Sequence, residues 1–255
     1  MDFTLAKYEN FLKKVTSNKL VVYTIKDWIK TTPERGICIR HDVDRKPSNS
    51  LKFAELEKKY GIQSTYYFRS KKASFDQSII EKISLLGHEI GYHYEELSDS
   101  NGDYKKAIKR FEKNLKSLRN YVKVDTISMH GAPLSKIDNR ELWKKFNFED
   151  YDIIGEAYIT IDYKETYYLT DTGRSWSDDS ANVRDMQSDS ISPEVKIRTT
   201  DDLISFIENG TQSKIIVTFH PERWSSNYFE HVVIFTKDIL KIFMKSILIK
   251  MGIIK

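Results

Sequence analysis

The chain has 255 residues, 40% of them hydrophobic, which is enough to bury a full core and fits one large α/β domain. Charged residues make up 31%, yet Lys and Arg outnumber Asp and Glu only 41 to 37, and the net charge of +4 points to no nucleic-acid partner. The single cysteine, Cys38, excludes an internal disulfide, and its place in Ile37-Cys38-Ile39 predicts a small buried side chain.

The opening stretch, Met1-Asp2-Phe3-Thr4-Leu5-Ala6-Lys7, lacks the long apolar run of a signal peptide, which predicts a cytoplasmic location. A helix is expected over residues 4–16, closing the bottom or side of the domain. From there the pattern repeats: a short β-branched or aromatic run, a turn, then a charged segment with helical spacing. That alternation predicts a parallel sheet covered by helices. Strands are predicted over 36–40, 64–69, 88–93, 126–130, about 156–161 and 215–220, with 167–170 a further candidate. Helices are predicted over about 47–60, 75–86 and 102–121, with Leu51, Ala54, Leu56 and Ala107, Phe111, Leu115, Leu118 as apolar faces.

The stretch 170–195 is rich in Ser and Asp and shows no sustained period, so a long loop is expected there. Residues 231–255 predict a helix on which Lys237, Lys241 and Lys245 form a basic stripe, opposite Ile234, Leu240, Phe243, Met244, Ile247 and Leu248. Its lysines interrupt every span of about 18 apolar residues, so it does not cross a bilayer. It either packs on the domain or makes peripheral membrane contact, and packing is the commoner fate of such a helix. No fixed-period repeat is visible, and Gly87-His88-Glu89-Ile90-Gly91 has neither a Lys nor the dinucleotide fingerprint, which argues against nucleotide hydrolysis and NAD.

The chemistry collects where strands end. In α/β barrels the C-terminal strand ends share one rim, which would bring together His41-Asp42-Val43-Asp44, His93, His130 and His220. Asp42 and Asp44 are two apart, so in extended chain they point the same way. One carboxylate can then bind a metal while the other takes a proton from water; a turn or helix cap before Arg45-Lys46-Pro47 is the plainer use of one Asp. His88 and His93, five apart, fall on opposite faces; His93 suits a metal, and His88 suits a bond to backbone near the strand's start.

Ile39-Arg40-His41-Asp42-Val43-Asp44, then Gly87-His88-Glu89-Ile90-Gly91-Tyr92-His93, then Thr218-Phe219-His220-Pro221, resemble the ordered motifs of the polysaccharide deacetylase superfamily, the NodB-like carbohydrate esterase family 4. The resemblance spans about residues 36–224. It implies an α/β fold of the distorted (β/α)7 barrel type and a metal-dependent hydrolase that removes acetyl groups from sugars. By that likeness Asp42 matches the general base, Asp44 and His93 match metal ligands, and His220 matches the general acid. The cofactor would be one divalent metal ion, zinc favoured, and the partner an acetylated sugar or glycan.

The family's second metal histidine falls four residues after the first, and that position here is Leu97. His130, in Ser128-Met129-His130-Gly131-Ala132-Pro133, either completes the ligand set or hydrogen-bonds substrate; Glu95 and Glu96 are the other local candidates. Two further stretches resemble an HDVD-type subgroup associated with surface polysaccharides: Tyr168-Leu169-Thr170-Asp171-Thr172-Gly173-Arg174-Ser175-Trp176 and His220-Pro221-Glu222-Arg223-Trp224. Trp176 and Trp224 either stack exposed faces on sugar rings, with Arg174 and Arg223 beside them for a carboxylate or phosphate, or simply plug the barrel mouth, the plainer use and as good an account of Trp224. Asp171 would orient a His or Arg, and Asn182-Val183-Arg184-Asp185 would join from the same loop. Two rivals stay open: an inactive sugar-binding relative on the same scaffold, and a metal hydrolase acting on a non-sugar amide or ester.

Overall fold

The computed structural model describes residues 1–132, 135–177, 189–209 and 213–250, with side chains through residue 240. Its elements run α1 (Leu5–Ser17), β1 (Val22–Tyr23), α2 (Ile25–Thr31), β2 (Gly36–Val43), α3 (Pro47–Lys59), β3 (Thr65–Phe68), α4 (Gln77–Leu85) and β4 (Glu89–Tyr94). They continue with α5 (Glu96–Asp99), α6 (Tyr104–Arg119), β5 (Thr126–Met129), β6 (Gly155–Glu156), β7 (Tyr167–Thr170), α7 (Thr200–Glu208), β8 (Lys214–Phe219) and α8 (Tyr228–Lys250). The helix starts follow from chemistry written locally. Thr4, Thr24, Asp76 and Asp103 cap α1, α2, α4 and α6 through their side chains, Pro47 opens α3, and Thr199 with Asp202 closes a capping box on α7.

Seven strands form one curled parallel sheet in the order β6-β5-β4-β3-β2-β8-β7, with β1 paired to the start of β2. This is the expected distorted (β/α)7 barrel, with no pairing between β6 and β7 among the described residues. Nearly every strand residue is buried, because helices cover the outer face and side chains fill the inner one. The interior is crowded: a Cβ on Gly91 would lie 2.2 Å from the Tyr67 ring, so only glycine lets that ring cross β4.

The helices expected over 4–16, 47–60, 75–86 and 102–121 appear within a residue or two of their predicted ends, and the C-terminal helix starts three residues before the expected 231. Strand β2 is longer than predicted, and the consequence is functional: with pairing through Val43, His41 turns outward to the helices while Arg40 and Asp42 turn inward. The rim group expected at His41-Asp42-Val43-Asp44 therefore loses His41. The run predicted as strand at 156–161 pairs only at Gly155–Glu156 and then turns, held by backbone N–H groups of Tyr158 and Ile159 on the Glu156 carboxylate. Helices α2 and α7 were not foreseen. In the expected loop 170–195, a 3₁₀ turn spans Thr172–Arg174, and the stretch Asn182-Val183-Arg184-Asp185 lies outside the described residues. On α8, Ile234 is buried as expected, but Leu240 is 57% exposed and does not share its face.

Candidate active site

The inward face of β2 supplies the first group. Arg40 and Asp42 form a fork-on-fork pair, Nε to Oδ1 and Nη2 to Oδ2 both at 2.7 Å, with both side chains buried. Arg40 also donates to Ser128 Oγ at 2.6 Å and Tyr158 OH at 3.1 Å, and its guanidinium lies between the rings of Tyr67 and Tyr158. Burial resists the charge on Asp42, but Arg40 and then His93 outweigh it and hold the carboxyl below its ordinary range.

At the mouth, Asp44 Oδ1 lies 3.6 Å from His93 Nε2 and 3.5 Å from His130 Nε2, and Asp42 Oδ2 lies 3.8 Å from His93 Nε2. The two imidazoles meet edge to face with centroids 5.3 Å apart. The far side of each ring is fixed. His93 Nδ1 is 3.0 Å from the Ser128 carbonyl, which can only accept, so Nδ1 carries the proton and a neutral ring turns its Nε2 lone pair toward Asp42 and Asp44. Burial pushes the His93 pKa down, which favours that neutral form. His130 Nδ1 lies 2.9 Å from Glu95 Oε2, and Glu95 is itself clamped by Arg69. Burial works against a charge on His130, yet Asp44 and Glu95 raise its pKa. Asp44 Oδ1 is buried and accepts no hydrogen bond among the described residues. Burial opposes its ionisation, but His130, His220 and His93 prevail and hold it well below the carboxylate range. Among the described residues, no group of three or more His, Cys, Asp or Glu side chains is placed so that it could hold a metal ion.

From the other side of the mouth comes His220, directly after β8. Asp171, at the end of β7, takes three bonds: it lies 2.6 Å from His220 Nδ1 and accepts from His220 N at 2.9 Å and Trp224 Nε1 at 2.8 Å. Burial disfavours the imidazolium, but the Asp171 charge overrides it and raises His220 to about 10. This ring is held protonated at neutral pH, with Nδ1 tied to the carboxylate.

No family model matches the chain, and no curated protein matches it. Among solved structures it is similar to a CE4 esterase from Streptococcus mutans, at 11% identity over 88% of this chain and 88% of that one, with a TM-score of 0.46. It is also similar to a wild-type CE4 family pseudoenzyme from Bacillus anthracis, at 15% identity over 82% of this chain and 62% of that one, TM-score 0.44. A third is a peptidoglycan deacetylase from Bacillus subtilis, at 13% identity over 84% and 97%, TM-score 0.39. The chain spans slightly under two thirds of the Bacillus anthracis protein's structure.

Several expected substrate contacts are not available as expected. Trp176 and Trp224 are each 1% exposed, packed with Phe3 and Phe219, so neither offers a face to a sugar. They plug the barrel's side because the N-terminal segment folds over them. Arg174 donates to Asp238 Oδ2 on α8 at 3.0 Å and lies over the Phe3 ring, which makes it a tie between loop and helix. Asp171 orients His220, as its expected role has it, and with Trp224 Nε1 on its other contact it has no oxygen left for a substrate. Arg223 keeps a buried Nε with no acceptor among the described residues. Of the local ligand alternatives, Glu95 backs His130, and Glu96 is engaged by Tyr92 OH and Asn114 Nδ2.

Two residues were missed. Arg40 was legible in principle, since its spacing of two from Asp42 puts both on one strand face. Glu222, in the 3₁₀ turn Pro221–Arg223, is 3% exposed with neither carboxylate oxygen hydrogen-bonded among the described residues. Burial, with the Asp44 charge adding, pushes it up to about 7. It lies in the stretch His220-Pro221-Glu222-Arg223-Trp224 already singled out, but no spacing there assigns its carboxylate a role.

Proposed function

We propose that the chain is a metal-dependent hydrolase that removes an acetyl group, N-acetyl favoured, from a sugar of a surface glycan or its precursor. The kinship proposed with it is to the polysaccharide deacetylase superfamily, HDVD-type subgroup. One observation carries the reading. Two titratable groups at the same mouth are pushed in opposite directions, Asp42 held ionised and His220 held protonated, which is the arrangement that general base and general acid require.

The residues present fit a metal only in part: Asp44 stands near ligand separation from each of two histidines, while no three side chains among the described residues are placed so that they could hold an ion as they stand. Ligands about 2.1 Å from a tetrahedral zinc stand about 3.4 Å apart, close to the Asp44–His93 and Asp44–His130 separations of 3.6 and 3.5 Å. Asp44 Oδ1 is a buried acceptor without a donor, His93 offers a lone pair fixed by the Ser128 carbonyl, and His130 is backed by Glu95. A divalent ion, zinc favoured, would be held by Asp44, His93 and His130 and would supply Lewis acidity toward the acetyl carbonyl and a lowered pKa for water. Asp42 takes the proton of the attacking water, and Arg40 keeps that carboxylate oriented. His220 gives its proton to the departing sugar nitrogen, while Asp171 holds the ring at Nδ1. Arg223 is the remaining candidate for a substrate carboxylate or phosphate.

The deciding experiment is metal content of the purified protein beside Asp44→Ala, His93→Ala and His130→Ala, followed by acetate release from acetylated sugars. The reading expects about one metal per chain, lost in all three variants. A metal-free wild type that stays so after reconstitution would overturn it. One observation favours a second reading, an inactive sugar-binding relative: Leu97, at the position of the family's metal histidine, is 1% exposed in the core. That reading expects sugar binding that survives a chelator.

A further inference from the structure

We infer that α8 docks the protein on an anionic lipid surface, lying in the plane of the interface. The inference is independent of the chemistry proposed above. In its described part the helix turns the wrong side outward for a packed element: Tyr228 is 70% exposed, Phe229 78%, Val232 43%, Phe235 46%, Ile239 46% and Leu240 57%. Tyr228, Val232, Phe235 and Ile239 follow a 4-3-4 spacing, so they form one continuous outer stripe. Ile234 and Asp238, each 6% exposed, face inward. A contiguous apolar stripe of this size marks an interaction site.

Charge selects the occupant. The helix has two acids, and both are bonded into the protein: Glu230 accepts from Ser226 N at 2.8 Å, and Asp238 pairs with Arg174 at 3.0 Å. Beyond Asp238 the sequence carries Lys241, Lys245, Lys250 and Lys255 and no acid, and Lys237 is exposed. A second copy packed on this face would bring like charges together, whereas anionic headgroups neutralise them. Aromatic and aliphatic side chains interleaved with lysines are what an interfacial helix needs, and no helix among the described residues is long and apolar enough to cross a membrane.

The test is flotation of the full chain with phosphatidylcholine vesicles, with and without about one third phosphatidylglycerol. Binding is expected only with the anionic lipid, weakening as salt rises. Lys237→Ala should lower partitioning roughly fivefold. The double variant Ile239→Glu, Leu240→Glu should lower it about tenfold or more, with an unchanged melting curve because both sites are exposed. Equal binding to both vesicles, or to neither, overturns the inference. So does a dimer in sedimentation velocity that the double variant splits, since the face would then belong to a second copy.

Discussion

Strand β2 carries two buried charge networks back to back. On its outer face, His41 Nε2 lies 2.7 Å from Glu57 Oε1, which also accepts from Tyr8 OH, while the other Glu57 oxygen accepts from Tyr66 OH at 2.5 Å and Ser64 Oγ at 2.7 Å. Apart from His41 Nδ1, this cluster is satisfied, and it staples α1 and α3 to the sheet. On the inner side, Asp44 Oδ1, both Glu222 oxygens and Arg223 Nε are buried without a hydrogen-bond partner among the described residues, the nearest charges being His130 and His93 at 3.5 and 3.6 Å from Asp44 and Arg45 at 3.6 Å from Glu222. Desolvating a polar group without a bond costs about 1–3 kcal/mol. The difference separates purposes on the proposed reading: the saturated network holds the fold, and the unsaturated one is the side assigned to a ligand.

Substitutions sharpen that contrast, beginning with the largest effect. Asp44→Asn should reduce acetate release on the order of a thousandfold, while leaving the stability of the metal-free protein unchanged or slightly higher, as thermal melts with and without chelator would reveal. Glu57→Ala should do the reverse, costing about 3–5 kcal/mol of stability with turnover per folded molecule intact. The same carboxylate sets a pH limit. Paired with His41, Glu57 is depressed to about 2 despite burial, so its contribution is complete above about 4.5 and is lost as pH falls toward 2. Melts across that range should show an acid slope that flattens in Glu57→Gln. If Asp44→Asn proves the less stable of the pair, the division of labour across β2 is wrong.

Next in size, Asp171→Asn should lower turnover on the order of a hundredfold. The basic limb of the rate profile should also move from about 10 toward the ordinary imidazole value near 6.5, because the raised His220 pKa depends on that charge. A limb that does not move would remove His220 from the acid's role. The smallest effect is expected from Trp224→Phe, which deletes one bond to Asp171 and should cost about 1 kcal/mol with a barely altered rate.

Much of the framework was readable from pattern, because β2, β3, β4, β5 and β8 are short runs rich in β-branched and aromatic residues between polar stretches, and α1, α3, α4 and α6 repeat their apolar faces. Helices α2 and α7 were hidden by length: Ile25–Thr31 and Thr200–Glu208 are two turns or so each, too short to establish a period. At the site, Asp42, Asp44, His93, His130 and His220 drew notice because they follow strands. What stayed illegible was facing. Whether Trp176 lies against Phe3 or against solvent, and whether Glu222 finds a donor, depends on which distant segment arrives beside it, and local spacing carries no record of that.

The pairing of residues 3–5 with Ser225 has a consequence for how the molecule is made. Leu5 N donates to the Ser225 carbonyl at 2.9 Å, Ser225 N donates to the Phe3 carbonyl at 3.0 Å, and Phe3 packs on Trp224, which in turn bonds Asp171. The start of the chain thus seals a turn more than two hundred residues later. During synthesis that seal cannot close until β8 and its turn have left the ribosome, so the surroundings of Asp171 and His220 are completed late.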